Sequence, residues 1–214
     1  SGTSNGGYYS SSYGGSNGGG GGRIALYCEA TEHVSNFDNF TGVPMMEAGG
    51  GNDGGSTDRR GGAGTIYIEC GGATRALVIN GTTLAGEPSE RTTTLLEDGM
   101  TSYSFDSLHI YGGSRLEFQP PNTGDTTVQL VTNTTKGDLS GLMYVRSGQV
   151  MTILPKAGKI SLGFDVTSDV GSTIVTPERL SVEDATFTIN GALSGAKAIE
   201  VSSGSVTLAA SIGE

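Results

Sequence analysis

Residues 18–28 read GGGGGRIALYC and residues 61–70 read GGAGTIYIEC. The two stretches match position by position at one constant offset: Ile24 with Ile66, Leu26 with Ile68, Cys28 with Cys70. In both, every second residue is apolar or cysteine, the signature of a strand that buries one face. Each strand is entered through a run of glycines. Two copies in one phase predict neighbouring turns of a solenoid, whose repeats bury their apolar faces only against one another.

Further along the chain a smaller unit recurs: two apolar positions separated by one residue, a short polar turn, then more apolar positions. It runs Leu108-x-Ile110 to Leu116-x-Phe118, Met143-x-Val145 to Val150, Leu180-x-Val182 to Phe187-x-Ile189, and Ile199-x-Val201 to Val206-x-Leu208. The step from Val145 to Val182 is close to twice the step from Val182 to Val201, with Leu162-x-Phe164 available as the copy between. A coil as long as the Val182-to-Val201 step holds three short strands and their corners. The glycine-entered pair then reads as an enlarged coil of the same winding, with Val34, Phe37, Phe40, Val43, Met45 and Met46 supplying its other inward residues.

The predicted fold is all-β, a right-handed parallel β-helix forming a single domain over 23–214, preceded by a Gly/Ser/Tyr-rich loop or leader over 1–22. An antiparallel β-sandwich is the alternative. It fits less well because Asn-Gly pairs, the usual hairpin signal, do not fall regularly between strands of equal length. Adjacent parallel strands lie ~4.8 Å apart, and a disulfide needs a Cα separation of roughly 4.4–6.8 Å. Cys28 and Cys70 are therefore disulfide candidates if their strands are neighbours. A ladder of two buried thiols satisfies the same spacing.

The paired runs GGGGGRIALYC and GGAGTIYIEC resemble the glycine-rich segments of large secreted parallel β-helix proteins, filament- or adhesin-like, of protist and invertebrate surfaces. The likeness covers about residues 14–80 and is architectural. It implies a secreted structural role and carries no catalytic residue across.

Composition narrows the function classes. Of 214 residues, 37 are glycine, and only 16% are charged. Lys and Arg number 12 against 22 Asp and Glu, a net charge of −10, which repels a phosphate backbone and argues against nucleic acid as a partner. No apolar run approaches the length needed to span a bilayer, so no membrane insertion is expected. The chain opens at Ser1 without a charged-then-apolar leader, which reads as a processed secreted chain or a piece of a longer one. Three Asn-X-Ser/Thr sequons, at Asn39, Asn80 and Asn133, add to the expectation of secretion and predict three outward loops.

Signals for chemistry are weak. Residues 14–18 fit G-x-S-x-G around Ser16, but the strand before it and helix after it that a nucleophile elbow requires are missing from the pattern. His109, between Leu108 and Ile110, reads as a surface strand residue, and His33 has no partner at zinc spacing. Asp53 and Asp58 stand in one degenerate calcium-repeat-like stretch, where a real site needs tandem copies. Asp106, Glu117, Asp165, Asp169, Glu183 and Asp184 are the carboxylates from which a polysaccharide hydrolase would need a facing pair. No cofactor, metal or catalytic set is called for. The expected role is an extracellular building block of a surface filament, coat or matrix, assembling through solenoid ends and glycine-rich loops with copies of itself or other subunits. A carbohydrate-binding or adhesive module that holds glycans is the second reading, and a polysaccharide lyase or hydrolase the third.

Overall fold

A strand with two or three inward residues is too narrow to bury a face alone, so it must be stacked. The computed structural model describes residues 22–28, 63–70, 74–81, 93–96, 101–118, 127–138, 140–156 and 158–209. These residues form strands and no helix: β1 (Arg23–Cys28), β2 (Thr65–Cys70), β3 (Thr74–Asn80), β4 (Thr93–Leu96), β5 (Ser102–Ser104), β6 (Ser107–Tyr111), β7 (Arg115–Phe118), β8 (Thr127–Thr132) and β9 (Thr134–Gly137). They continue with β10 (Leu142–Val145), β11 (Val150–Pro155), β12 (Ile160–Leu162), β13 (Asp165–Ser168), β14 (Thr173–Val175), β15 (Arg179–Ile189), β16 (Ala192–Ser194) and β17 (Ala198–Leu208).

From β3 onward the strands fall into three parallel stacks. The first is β3, β6, β9, β12 and the first half of β15; the second is β4, β7, β10, β13 and the second half of β15. The third is β5, β8, β11, β14 and β16. β17 lies along both halves of β15. The described residues thus form a parallel β-helix of about four turns and no sandwich. In β15 the corner is taken within one strand, through an irregularity between Val182 and Ala185 where Asp184 adopts a φ of 51°.

Alternation along each strand sends one set of residues into the lumen. Leu108, Ile110, Leu116, Val128, Leu130, Met143, Met151, Phe164, Val166 and Val182 are all fully buried in one continuous cluster. The coils approach so closely at some corners that a side chain has no room. A Cβ on Gly141 would lie 2.1 Å from the carbonyl oxygen of Ile110.

Coil length and phase differ from the sequence expectation. Thr93 sits beside Arg115, Arg115 beside Leu142, Leu142 beside Asp165 and Leu180 beside Ile199, so the step between stacked partners differs from coil to coil without a steady trend. Only the last coil has the expected length. Met143 pairs with Leu116 and Val166, so Met143-x-Val145 belongs to the second stack, not to the stack of Leu180-x-Val182. In the first stack the partner of Val182 is Leu162, which makes Ile160-x-Leu162 the copy there, not Leu162-x-Phe164. All three sides of a coil carry the same apolar-x-apolar pattern, and pattern alone does not say which side a strand occupies.

The glycine-entered strands are neighbours, as expected, in parallel register from Arg23↔Thr65 to Cys28↔Cys70. They are not coils of the solenoid. β2 runs antiparallel to β3, with Ile66 opposite Val78 and Ile68 opposite Ala76. Only residues 71–73 separate β2 from β3, enough for a hairpin but far short of the dozen or so that a parallel crossover needs. A second apolar cluster, Ile66, Ile68, Cys70, Ala76, Val78 and Tyr111, lies apart from the lumen residues Leu77 and Ile79. β3 is therefore buried on both faces.

Replacing Phe187, 1% exposed in the lumen, with alanine should lower unfolding stability by about 3–5 kcal/mol, measured by chemical denaturation. Gly141→Ala should fail to give the same cooperative transition, because its Cβ meets fixed backbone.

Candidate functional surface

Among the described residues, a connected group of polar side chains lies on the outer face of the second stack. Parallel register puts Glu117 beside Tyr144 on the next coil, so outward residues of successive coils are held one strand spacing apart. Glu117 is 3% exposed. It pairs with Arg115 on its own strand, Nε to Oε1 at 2.8 Å, and with Arg146 through its second oxygen. The Arg115 guanidinium sits 3.6 Å from the centre of the Tyr144 ring, a cation–π contact. The Tyr144 hydroxyl donates to Asp169 in the following coil, and that bond, with some burial, raises its pKa. Gln149 Nε2 donates to the carbonyl of Phe118 at 2.6 Å. The group is charge-compensated and binds three coils together.

The other carboxylates read from the sequence also have structural occupations. Asp106 accepts from the Arg75 amide at 2.7 Å and from Lys156 Nζ at 2.6 Å. Asp165 accepts from the Thr186 amide at 2.8 Å, and Glu183 from Ser181 Oγ at 3.1 Å. Asp184 occupies the strained corner of β15. A hydrolase needs an acid and a base across one cleft; of these carboxylates Glu117 and Asp169 meet in the group bridged by the arginines and Tyr144, and Glu183 and Asp184 share the β15 corner.

Asp138 is a carboxylate that sequence reasoning passed over. It accepts from the Gly112 amide at 2.8 Å and from Ser140 through both its amide, 3.1 Å, and its hydroxyl, 2.5 Å. Partial burial pushes its pKa up, but the hydrogen bonds from Ser140 and Gly112 outweigh that and hold it below the usual carboxylate range. It fastens the corner at 111–114, where Gly112 and Gly113 take φ of 63° and 68°, to the next coil. On β2, burial and a bond to Glu69 push the Tyr67 hydroxyl up to about 12.

Two expectations about exposure are corrected. His109 is on the outer face of β6 but only 2% exposed, with Nδ1 3.0 Å from the Tyr111 hydroxyl. It pairs with Val78, so it belongs to the face that the second apolar cluster buries. Asn80 is 0% exposed at the end of β3, beside Tyr111, and its amide is no outward loop acceptor. Asn133 is half-buried at the corner between β8 and β9. Asn39, Asp53, Asp58, His33 and Ser16 lie outside the described residues, as do 1–21 and 34–46. Among the described residues no group of three or more His, Cys, Asp or Glu could hold a metal ion, and no helix is long and apolar enough to cross a membrane.

Comparison with family models, with curated proteins and with solved structures finds no match to this chain.

Removing the carboxylate of Glu117 leaves two guanidinium groups without their shared anion. Glu117→Ala should cost about 2 kcal/mol, below the ~3–5 kcal/mol of a fully buried pair because Arg146 is more than half exposed. Thermal melts of the variant and of Glu117→Gln, which keeps the volume, check this.

Proposed function

We propose that the chain is an extracellular structural building block of a surface filament, coat or matrix, assembling through the ends of its solenoid. The observation that carries the reading is the state of β17. Among the described residues this 11-residue strand pairs on one edge only, with β15. Val201 is 46% exposed and Leu208 38%, whereas their partners one coil earlier, Val182 and Ile189, are 0% and 1% exposed. The strand carries one charge, Glu200, and no proline, and the one edge-blunting feature it has is the irregular pairing around Ser202–Gly204. Such an edge accepts another strand through its backbone, with inward apolar residues waiting to be covered. A strand of another molecule seated on that edge would extend the sheet, and repetition of the contact would give a filament. At the other end of the sheet, β1 leaves Ile24 and Leu26 at 40% and 39% exposure.

An oxidised Cys28–Cys70 pair belongs to the same reading, supported by their register on adjacent parallel strands. Secretion is supported by the sequons, of which Asn133 is the one on a described corner. Peptide mapping without reductant should return Cys28 linked to Cys70; separate thiols that react with maleimide would argue for a reducing compartment.

Electron microscopy of the 214-residue protein should show elongated assemblies. Val201→Lys replaces an apolar contact worth ~1.5–3 kcal/mol with a charge. It should raise the concentration needed for assembly at least ~10-fold while leaving the circular dichroism spectrum unchanged. Monodisperse single particles of the unmodified protein at all concentrations would overturn the reading.

A further inference from the structure

The third stack differs from the other two in charge. Its strands read SYS, TVQLVT, VMTILP, TIV and ALS, without one charged residue. The chain as a whole carries −10. The other stacks turn Glu117, Asp165, Glu183 and Glu200 toward their outer faces or corners. In the third stack Val128, Leu130, Met151, Ile153 and Ile174 fill the lumen, so the residues between them face out. Register aligns Gln129, Thr152 and Val175 in one row, Thr127, Val150 and Thr173 in another, and Val131 with Leu154 in a third. The outer face is a sheet of methyl and hydroxyl groups with the Gln129 amide among them, partly open to solvent, with β-branched residues keeping it stiff.

We propose that this face is a lateral docking surface for a second copy of the same chain, packed sheet against sheet about a two-fold axis. The proposal rests on the assembly reading above and adds the surface by which assembled copies adhere side by side. Charge selects the occupant. Two copies at −10 repel each other wherever carboxylates meet, and this is the stack face of the described residues where none do. It offers no cation to an anionic ligand and no outward aromatic ring on which a sugar could stack. A surface of mixed methyls and hydroxyls is complementary to itself, as an isologous contact requires. Five strands ~4.8 Å apart, each three to six residues long, span on the order of 300 Å². A stable pair buries about 800 Å² per partner. The contact is therefore weak alone and becomes effective between copies already held together, where the second contact is intramolecular.

The test uses three single variants of the full chain. Thr152→Cys is at the centre of the face, and Thr167→Cys is on the outer side of β13 as control. Thr152→Glu puts a carboxylate into the face. With a short bismaleimide, and the unmodified chain as blank, Thr152→Cys assemblies should give at least ten times more cross-linked dimer than Thr167→Cys. Thr152→Glu should lose side-by-side bundling in electron micrographs while keeping single filaments and its thermal melt. Equal cross-linking at the two positions, or unchanged bundling in Thr152→Glu, overturns the docking surface and leaves the filament reading standing. If the unmodified chain forms no filaments, that reading fails. Cross-linking of concentrated Thr152→Cys monomers then decides the surface alone: dimers well above the Thr167→Cys level support it, and their absence overturns it.

Discussion

The parallel backbone ladder between coils is the constraint on which everything else depends. It fixes the rise at about 4.8 Å and sets each residue directly against its counterpart in the next coil. Lumen positions must then be apolar in every coil, because a polar group there would be buried beside others equally unable to reach water. Outer positions are coupled in the same way. Arg115, Glu117, Tyr144, Arg146 and Asp169 form one compensated group because the ladder stacks them, and like charges stacked at that spacing would repel.

The same ladder makes the ends of the sheet different from its middle. Among the described residues, strands in the middle of a stack have both edges occupied, while β17, like β16 beside it in the last coil, has one. Its inward residues show what a coil looks like before it is covered: Val201 is nearly half exposed, and Val182 beneath it not at all. At the opposite end the chain reverses direction, and β2 enters the sheet antiparallel to β3. That reversal moves the apolar residues of the glycine-entered pair out of the lumen's own cluster into a second one, which also takes in the outer side of β3 and β6. His109 and Asn80 are buried for that reason, though nothing in their immediate sequence announces it.

Three sides built on one backbone plan are free to diverge on the outside. The first two carry Glu117 with its arginines and the Asp138 clasp on the Tyr-Gly-Gly-Ser turn, while Lys156–Asp106 and Lys197–Glu178 pair at the corners. The third is neutral. A division of that kind suits a body that is repelled by its own copies on some sides and admits them on another, the arrangement proposed above for an assembling structural protein.

Apolar alternation was enough, in the sequence alone, to determine an all-β chain, three strands to a coil, a lumen of Leu, Ile, Val and Phe, and the in-register pairing of 24–28 with 66–70. Those features depend on period-2 patterning and repeat spacing, which are local. Tertiary structure decided which side of the coil each apolar pair occupies, because all three sides share one pattern and corners of different length shift the phase from one coil to the next. It also decided that the glycine-entered strands run against the solenoid. The deciding element there is the short link after Cys70, which forces a hairpin and sends two like strands to the sheet's end, where the sequence had suggested two turns of its body.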